Sequence, residues 1–313
     1  MTTSPFCCSH GNVIDLSHCR EGVIARLDAE GRSDLSAPLQ ECGDPFELVC
    51  CGCAKGIAVV KQCRKRWCPS CARIISLERI DRYQQSIDAM QWPLLVTLTM
   101  PHTMETSCPS DVRKLRRALG KLRRLRWFKR AVKGGITSIE VTGGKNGWHP
   151  HAHMLLDCRW LSVYGEEPRK PMSKDAIKRA FKVARGEVAE QWALCIQTSA
   201  RVQVAISRAR PDVAREVLKY AVKPSELAES PLPLAPLIDI LRVSRLVSAF
   251  GSVRECRLEG LKRQLSEEEP TKVCECGCST WMPDFVVDRM LDRGDSLPRA
   301  LSNCLVAKSQ RRR

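Results

Sequence analysis

Three histidines alternate in the segment His149-Pro150-His151-Ala152-His153, which the apolar residues 154–156 follow. In an extended strand, residues two positions apart point to the same face and lie about 7 Å apart. Two neutral imidazoles at that spacing can converge on one metal ion. Three structural histidines on one face would need three separate hydrogen-bond partners, so the pattern favours a metal site on a strand.

A hairpin around these histidines predicts a third ligand. Residues 135–142 and 148–157 read as two strands, joined by the glycine-rich loop 143–147. If the loop proper is 144–147, Glu140 lies opposite His151 on the metal-facing side. A one-residue slip would turn Glu140 away, so a metal ligand and a solvated strand carboxylate both remain open.

The charge of the chain favours a polyanionic partner. Its net charge is +16 with a pI near 9.3, which indicates nucleic acid before membrane. No run of 18 apolar residues and no signal-peptide pattern occurs, so we expect a folded cytoplasmic protein with no membrane partner. No GxxxxGK[ST] loop is present, which argues against a built-in ATP-driven motor.

Residues 111–133 contain eleven Lys and Arg and one acid. Apolar residues recur there at helical spacing, which predicts one amphipathic helix with a cationic outer face. Unbroken charge of one sign repels itself, so a phosphate-contacting surface is favoured over a merely solvated face. The predicted nucleic-acid contacts are Arg116, Arg123, Arg124, Arg126, Lys129 and Arg130.

Eighteen cysteines in a cytosolic chain indicate metal ligands and thiols rather than disulfides. Cys50 and Cys53, followed by Cys68 and Cys71, have the two-knuckle spacing of a zinc ribbon. We predict structural Zn²⁺ bound by these four thiolates, with Cys51 and Cys63 as competing ligands. Binding worth about 10 to 16 kcal/mol would fold a segment that has little core of its own. A second cluster consists of Cys274, Cys276 and Cys278. It is a weaker candidate for a metal site: it could bind zinc together with Cys256 or Cys304, or its residues could simply be free thiols.

The pattern along the chain predicts four consecutive parts. They are a loosely ordered arm (1–45), a zinc-binding segment (46–78), a domain that contains the histidine hairpin (79–230) and a basic, helical C-terminal region with the second Cys cluster (231–313). Helices are predicted over 74–90 and 173–192, and further strands over 93–101 and 201–206.

A last helix is predicted between Pro211 and Pro224. On it Glu216, Tyr220 and Lys223 follow one another at i, i+4 and i+7, which places them on one continuous face. A lone helical tyrosine usually belongs to a core, but this ring has polar residues on both sides.

Together these motifs resemble the rolling-circle replication initiators (Rep) of the HUH endonuclease superfamily, single-tyrosine type. Leu95-Val96-Thr97-Leu98-Thr99 is similar to the first strand motif, and His151-Ala152-His153 to the metal motif. Residues 216–223 resemble the nucleophile helix, and Cys68-Pro69-Ser70-Cys71 the cysteine-rich lead-in. The resemblance covers roughly residues 50–225.

The resemblance implies an α+β fold, ferredoxin- or RRM-like, with helices on one side of a central antiparallel sheet and the metal histidines on a middle strand. It implies single-stranded DNA at a plasmid origin as substrate, with host helicase and DNA polymerase as partners. Mg²⁺ or Mn²⁺ would be bound by His151, His153 and Glu140, since a carboxylate favours these ions over Zn²⁺. His149 would be auxiliary, as a DNA contact or an extra ligand.

The implied reaction is site- and strand-specific transesterification, in which Tyr220 forms a 5′-phosphotyrosine link and frees a 3′-OH primer, with religation at termination. Lys223 would add a cation near the phenolate, and Glu216 would activate water for the final cut. Three alternatives remain: a transposase or relaxase with the same motif, a phosphodiesterase that uses activated water, and a non-catalytic zinc-containing regulator.

Overall fold

The chain forms two compact units in a computed structural model. The first takes its described residues from Met1–Leu39 and Arg64–Glu259, and the second from Gln40–Cys63 and Gly260–Arg313. Each unit is therefore built from two separate stretches of sequence. The structure describes residues 15–51, 53, 55–101, 108–145, 147–164, 173–210, 212–219, 221–256, 276, 281–283 and 290.

The secondary structure alternates between helices and strands over most of this range. The helices are α1 (Leu16–Ala29), α2 (Ser33–Gln40), α3 (Pro69–Asp88), α4 (Cys108–Leu122), α5 (Arg126–Ala131), α6 (Lys174–Ile196), α7 (Val213–Leu218), α8 (Pro224–Glu229) and α9 (Ala235–Val243). The strands are β1 (Pro45–Cys50), β2 (Gly56–Val60), β3 (Pro93–Leu98), β4 (Gly134–Gly144), β5 (Gly147–Asp157), β6 (Val204–Arg208), β7 (Val247–Gly251) and β8 (Trp281–Pro283).

A five-stranded antiparallel sheet forms the centre of the first unit. Its order is β6-β3-β5-β4-β7, so the histidine strand β5 lies in the middle. Every neighbouring pair is antiparallel. The predicted α+β fold with a central antiparallel sheet is confirmed, and so is the middle position of the histidines.

Helices cover both faces of this sheet, which corrects the expectation of helices on one side. On one face, Ile136 and Leu155 pack against Tyr83 of α3 and Val217 of α7. On the other face, α4 packs against β5. The physical reason is that β4 is buried over most of its length, and a strand whose side chains are buried on both faces needs a cover on each.

Two helices form where the sequence predicted a loosely ordered arm. The carboxylate of Asp15 caps α1 by accepting hydrogen bonds from the N–H groups of Ser17 and His18, at 2.9 and 3.1 Å. The buried face of α1 consists of Cys19, Val23 and Leu27, spaced four residues apart. Arg20, Glu21 and Gly22 separate Cys19 from Val23, while Ile24 and Ala25 lie off the buried face, so the helical period is weak in the sequence.

The single cationic helix predicted over 111–133 is instead two helices, α4 and α5. Between them the chain tightens, because Arg124 N–H donates to Lys121 O and Leu125 N–H to Leu122 O, both three residues back. The turn brings Trp127 of α5 into a buried position. Core packing of this aromatic residue thus outweighs helical continuity.

The helices predicted over 74–90 and 173–192 are confirmed as α3 and α6, each longer than predicted. Ser173 caps α6, and its hydroxyl accepts a hydrogen bond of 3.2 Å from Ala176 N–H. Pro69 occupies the first turn of α3, where its missing N–H costs no hydrogen bond. In the part of the chain that the structure describes, no helix combines the length and the apolar character needed to cross a bilayer.

The second unit contains a three-stranded sheet in the order β2-β1-β8. The strands β1 and β2 form a hairpin, with Pro45 opposite Val60 and Val49 opposite Gly56. The short strand β8 pairs with the other side of β1, and Trp281 lies opposite Cys50. Sequence positions more than 200 residues apart therefore meet in this sheet.

We expect Ile136→Ala to lower the free energy of unfolding by about 2 to 5 kcal/mol. Ile136 is 0% exposed and packs between β5 and α7, so the smaller side chain leaves a cavity in the core. Ile177→Ala on α6 is the control, since Ile177 is 42% exposed, and it should change stability by less than about 0.5 kcal/mol. Urea denaturation followed by circular dichroism measures both. Equal effects of the two substitutions would contradict the assigned core.

Candidate functional site

The hairpin of β4 and β5 sets the geometry of the histidine cluster. Gly144 pairs with Gly147, and the register then places Glu140 directly opposite His151. The predicted register is therefore confirmed. Gly147 has a φ of +97°, a conformation that side-chain-bearing residues rarely adopt, so the glycine is needed to close the turn.

Pro150 fits within this ladder although it has no N–H group to donate. Its partner across the hairpin is Val141, whose N–H bonds instead to the carbonyl of Ala221 at 2.7 Å. The Val141–Pro150 pair is therefore of the type that exchanges no hydrogen bonds, and proline costs nothing there. The pairing of β5 with β4 therefore begins at Gly147 and continues through Pro150 to His151 and beyond.

Glu140, His151 and His153 form one compact group. Glu140 Oε2 lies 2.9 Å from His153 Nε2 and 3.3 Å from His151 Nε2. One ligand atom from each residue lies within 4.8 Å of the others, so the group could hold a metal ion. Two imidazoles and one carboxylate suit a divalent ion such as Mn²⁺, and the carboxylate oxygen also suits Mg²⁺.

Thr97 orients one of the two imidazoles. Its Oγ1 lies 3.1 Å from Nδ1 of His153, because β3 pairs with β5 so that Thr97 is opposite His153. A hydrogen bond at Nδ1 fixes the ring with Nε2 towards Glu140, as outer partners of metal ligands commonly do. The sequence placed Thr97 in a strand motif but gave it no role.

His149 lies apart from the three ligand residues. Its Nε2 is 3.0 Å from the carbonyl oxygen of Met100. Its ring centroid is 6.0 Å from that of His151, whereas the rings of His151 and His153 are 4.9 Å apart. The described contacts thus direct the polar edge of His149 to the backbone after β3. They do not direct it to the group of Glu140, His151 and His153, which we call the metal group.

A lysine that sequence reasoning missed completes the electrostatics of the site. Lys219 Nζ lies 3.9 Å from Glu140 Oε2. Burial alone would raise the pKa of the Glu140 carboxyl, but hydrogen bonds from His151 and His153 and the charge of Lys219 outweigh it and hold that pKa well below its usual range. The Glu140 carboxyl is therefore ionised at neutral pH.

The continuous helix predicted between Pro211 and Pro224 is wrong. Helix α7 ends at Leu218, and Lys223 is the N-cap of the next helix, α8. The Ala221 carbonyl accepts from Val141 of β4 rather than from a helical N–H, which accounts for the break. Glu216 and Lys223 therefore do not share one helical face, and Tyr220 itself lies outside the described residues.

The two predicted partners of Tyr220 have the following surroundings. Glu216 is exposed on α7. Lys223 is half exposed, and its Nζ lies 3.7 Å from Glu226 of α8. Among the described ion pairs, the lysine that contacts the metal group is Lys219 rather than Lys223. Its position next to Tyr220 in the sequence was the signal that could have revealed it.

The six predicted nucleic-acid contacts lie on α4, on α5 and in the turn between them. Arg116 is exposed, while the apolar stripe of the same helix, which includes Leu115 and Ala118, is buried. Arg123 is partly buried, with its guanidinium 5.3 Å from the ring centroid of Phe250. Four others are exposed, namely Arg124, Arg126, Lys129 and Arg130.

The predicted zinc tetrad is divided between the two units. Cys68 and Cys71 are buried at the start of α3 in the first unit, where Cys71 Sγ accepts a hydrogen bond from Arg64 N–H. Cys50 and Cys53 belong to the second unit. There a third cysteine, Cys276, joins them.

The sulphur atoms of Cys50, Cys53 and Cys276 lie within 4.8 Å of one another, and this group could hold a metal ion. Strand β8 is the reason, because its pairing with β1 brings the segment before Trp281 to the end of the β1–β2 hairpin. The sequence instead paired the 274–278 cluster with Cys256 or Cys304. Cys256 belongs to the first unit, and Cys274, Cys278 and Cys304 lie outside the described residues.

Comparison with known proteins identifies the family. The family described as "Replication protein" matches residues 54–276, well over half of the chain. The chain therefore belongs to this replication-protein family, which confirms the Rep membership that the motifs predicted. The match includes β3 to β7, and so the whole sheet that carries Glu140, His151 and His153.

A curated relative agrees with this assignment. The chain is similar to "Protein rep" of Lentilactobacillus hilgardii, with 31% identity over 101 residues. That alignment covers 30% of this chain and 32% of the relative, so it spans about a third of each protein. No solved structure matches the chain.

We expect Glu140→Gln to weaken Mn²⁺ binding at least 100-fold, because the amide removes the only carboxylate of the group formed by Glu140, His151 and His153. Isothermal titration calorimetry of the full chain with Mn²⁺ measures the change. Glu216→Gln is the matched control and should leave Mn²⁺ affinity unchanged, since Glu216 is exposed on α7. An unchanged affinity in Glu140→Gln would remove Glu140 from the ligand set.

Proposed function

We propose that the protein initiates rolling-circle replication of a plasmid by nicking DNA at the origin, with Tyr220 as nucleophile. One observation carries the assignment of the nucleophile, namely that both sequence neighbours of Tyr220 contact β4 beside the metal group. Lys219 Nζ lies 3.9 Å from the Glu140 carboxylate, and the Ala221 carbonyl accepts a 2.7 Å hydrogen bond from Val141 N–H. Membership of the replication-protein family supports the biological context.

The first chemical requirement is an ionised nucleophile. A tyrosine with an ordinary pKa of about 10 pays about 4 kcal/mol to be a phenolate at pH 7. Lys219 and Lys223, one and three residues from Tyr220, supply the cations that lower this cost. Of the two, Lys219 is the better supported, because it already contacts Glu140.

The residues of the metal group fit Mg²⁺ or Mn²⁺ through the Glu140 carboxylate and the Nε2 atoms of His151 and His153. When bound, such an ion supplies Lewis-acid chemistry, withdrawing charge from the scissile phosphate and stabilising the leaving oxygen. The protein's own contribution is to hold these three ligands rigidly. The β4–β5 ladder and the Thr97–His153 hydrogen bond do so.

In the proposed reaction, the Tyr220 oxygen attacks phosphorus in line, an O–P bond forms, and the bond from phosphorus to the 3′ oxygen breaks. The 3′ oxygen takes up a proton and becomes a free 3′-OH, while the 5′ phosphate remains on Tyr220. Attack by a 3′-OH on the phosphotyrosine reverses the step and religates the strand. Glu216 acts later as general base on water for the terminating cut.

The partners follow from this reaction. The substrate is single-stranded DNA at the plasmid origin, and the free 3′-OH primes a host polymerase in the cytoplasm. Since the sequence has no phosphate-binding ATPase loop, a host helicase unwinds the duplex. The cationic residues of α4 and α5 contact DNA phosphates.

We also propose structural Zn²⁺ in the second unit, bound by Cys50, Cys53 and Cys276. Structural zinc takes four ligands, and Cys274 and Cys278 flank Cys276 in the sequence as candidates for the fourth. Zinc here would join the β1–β2 hairpin to a segment 223 residues further along the chain, a link worth several kcal/mol in so small a sheet. Cys68 and Cys71 remain proposed zinc ligands of the first unit.

The decisive test of nicking is a covalent-adduct assay. The full chain is incubated with 5′-unlabelled, 3′-labelled single-stranded origin DNA and Mn²⁺, and we expect a labelled protein band that survives denaturation. Tyr220→Phe should abolish the band, since no other residue carries the phosphate. Glu216→Ala should keep the band and slow the second, terminating cut.

Each other outcome selects an alternative. Cleavage without an adduct indicates a phosphodiesterase that uses activated water. DNA binding with no cleavage indicates a zinc-containing regulator. An adduct that persists in Tyr220→Phe, or cleavage that survives His151→Ala and His153→Ala, contradicts the proposed mechanism.

We expect Cys276→Ser to lower the zinc content of the purified chain by about one equivalent and to lower its melting temperature, because one of the ligands of the proposed site is lost. Metal analysis by mass spectrometry measures the zinc content. Cys256→Ser is the control and should retain all of the zinc, since Cys256 belongs to the first unit. Equal zinc in both variants would exclude Cys276 as a ligand.

A further inference from the structure

A cavity lined by arginines lies on the face of the central sheet opposite the metal group. We call it the arginine pocket; its volume is 590 Å³, within the range of roughly 300–1,000 Å³ that is usual for ligand sites. Its charged lining consists of Arg113, Arg116, Arg117, Arg123 and Arg245. No carboxylate is among the described residues that line it.

Strand alternation assigns the pocket to its face. Thr137 and Ile139 of β4 line the pocket, while Glu140, the next residue, points to the opposite side. The cross-strand pairs agree, since Ile139 lies opposite Ala152 and Glu140 opposite His151. The arginine pocket and the metal group are therefore separated by the sheet itself, so one phosphate group cannot contact both.

The floor of the pocket contains a buried polar group, the Thr137 hydroxyl, for which the described residues offer no hydrogen-bond partner. Thr137 is 4% exposed. A buried hydroxyl left unpaired costs about 1–3 kcal/mol, so such groups are normally satisfied by a ligand or by water. An anion oxygen held by the arginines would accept this hydrogen bond.

Among the described residues, no carboxylate forms an ion pair with the guanidinium groups of the pocket. Burial, together with the neighbouring charge of Arg124, lowers the pKa of Arg123. Like charges gathered in a partly buried cavity repel one another, and a bound polyanion relieves this repulsion.

We infer that the arginine pocket binds the phosphate backbone of a second DNA segment, distinct from the strand at the metal group. The inference that the pocket binds a polyanion rests on its lining, and the identification of that polyanion as DNA rests on the proposed function. Arg123 lines the pocket, and the exposed cations Arg124, Arg126, Lys129 and Arg130 follow it in the sequence. A DNA backbone that extends beyond the pocket needs such further cations to contact its successive phosphates. A mononucleotide site would need a surface for the base, and the described uncharged lining is small or aliphatic rather than aromatic.

The test measures binding of a fluorescein-labelled duplex of about 30 base pairs by anisotropy, without divalent cation and over a range of salt. For the triple variant Arg113→Ala, Arg116→Ala and Arg117→Ala, we expect the slope of log Kd against log salt to fall in magnitude by about 2 to 3, because each lost phosphate contact removes about 0.9. Thr137→Val should weaken binding of the duplex about tenfold, since valine lacks the hydroxyl but has nearly the same side-chain shape as threonine.

The matched control removes the same charge from exposed positions of α6, outside the pocket, with Lys178→Ala, Arg179→Ala and Lys182→Ala. We expect its salt slope to stay within about 0.5 of the wild type. Equal loss in the two triple variants, or wild-type binding in Thr137→Val, would overturn the pocket as a specific phosphate site. Because this assay contains no Mn²⁺ and reads no cleavage, it can succeed or fail independently of the nicking assay.

Discussion

The pairing of β4 with β5 is the interaction on which the rest of the site depends. Its eleven cross-strand pairs run from Gly134 opposite Asp157 to Gly144 opposite Gly147. Side chains alternate along a strand, so a slip of one residue would move Glu140 to the face that carries the arginines. The closed turn at Gly147 and the apolar pair of Ile136 and Leu155 oppose such a slip, because both fit only one register.

The same sheet separates two kinds of chemistry. One face carries a buried carboxylate between two imidazoles, with Lys219 as the nearest described cation. The other carries the arginine pocket, whose lining is cationic and includes the buried hydroxyl of Thr137, which has no hydrogen-bond partner in the described part of the chain. Helices on both sides make this arrangement stable, since the apolar residues of β4 and β5 are covered on each face. In the function proposed above, one side of this sheet holds the reacting phosphate and the other holds the backbone of a second DNA segment.

Several features followed from local sequence alone. The hairpin loop, the alternation of histidines and the position of Glu140 depend on residues close together in the chain, and local periodicity determines them. Helix α6 was likewise predictable, because a serine cap and a long amphipathic pattern mark it. The break between α4 and α5 was not predictable in this way, since it depends on the burial of Trp127.

The sequence by itself predicted the family and placed His151 and His153 on one face of a strand, because both are encoded in short motifs, whereas the register of β4 and β5 decided that Glu140 lies beside them. Only the tertiary structure decided which distant residues join them. Lys219 reaches Glu140 because α7 ends at Leu218 and the following backbone bonds to β4, and Cys276 reaches Cys50 because β8 pairs with β1. Both depend on hydrogen bonds between segments far apart in the chain, and local patterns of residue type carry no record of such pairing.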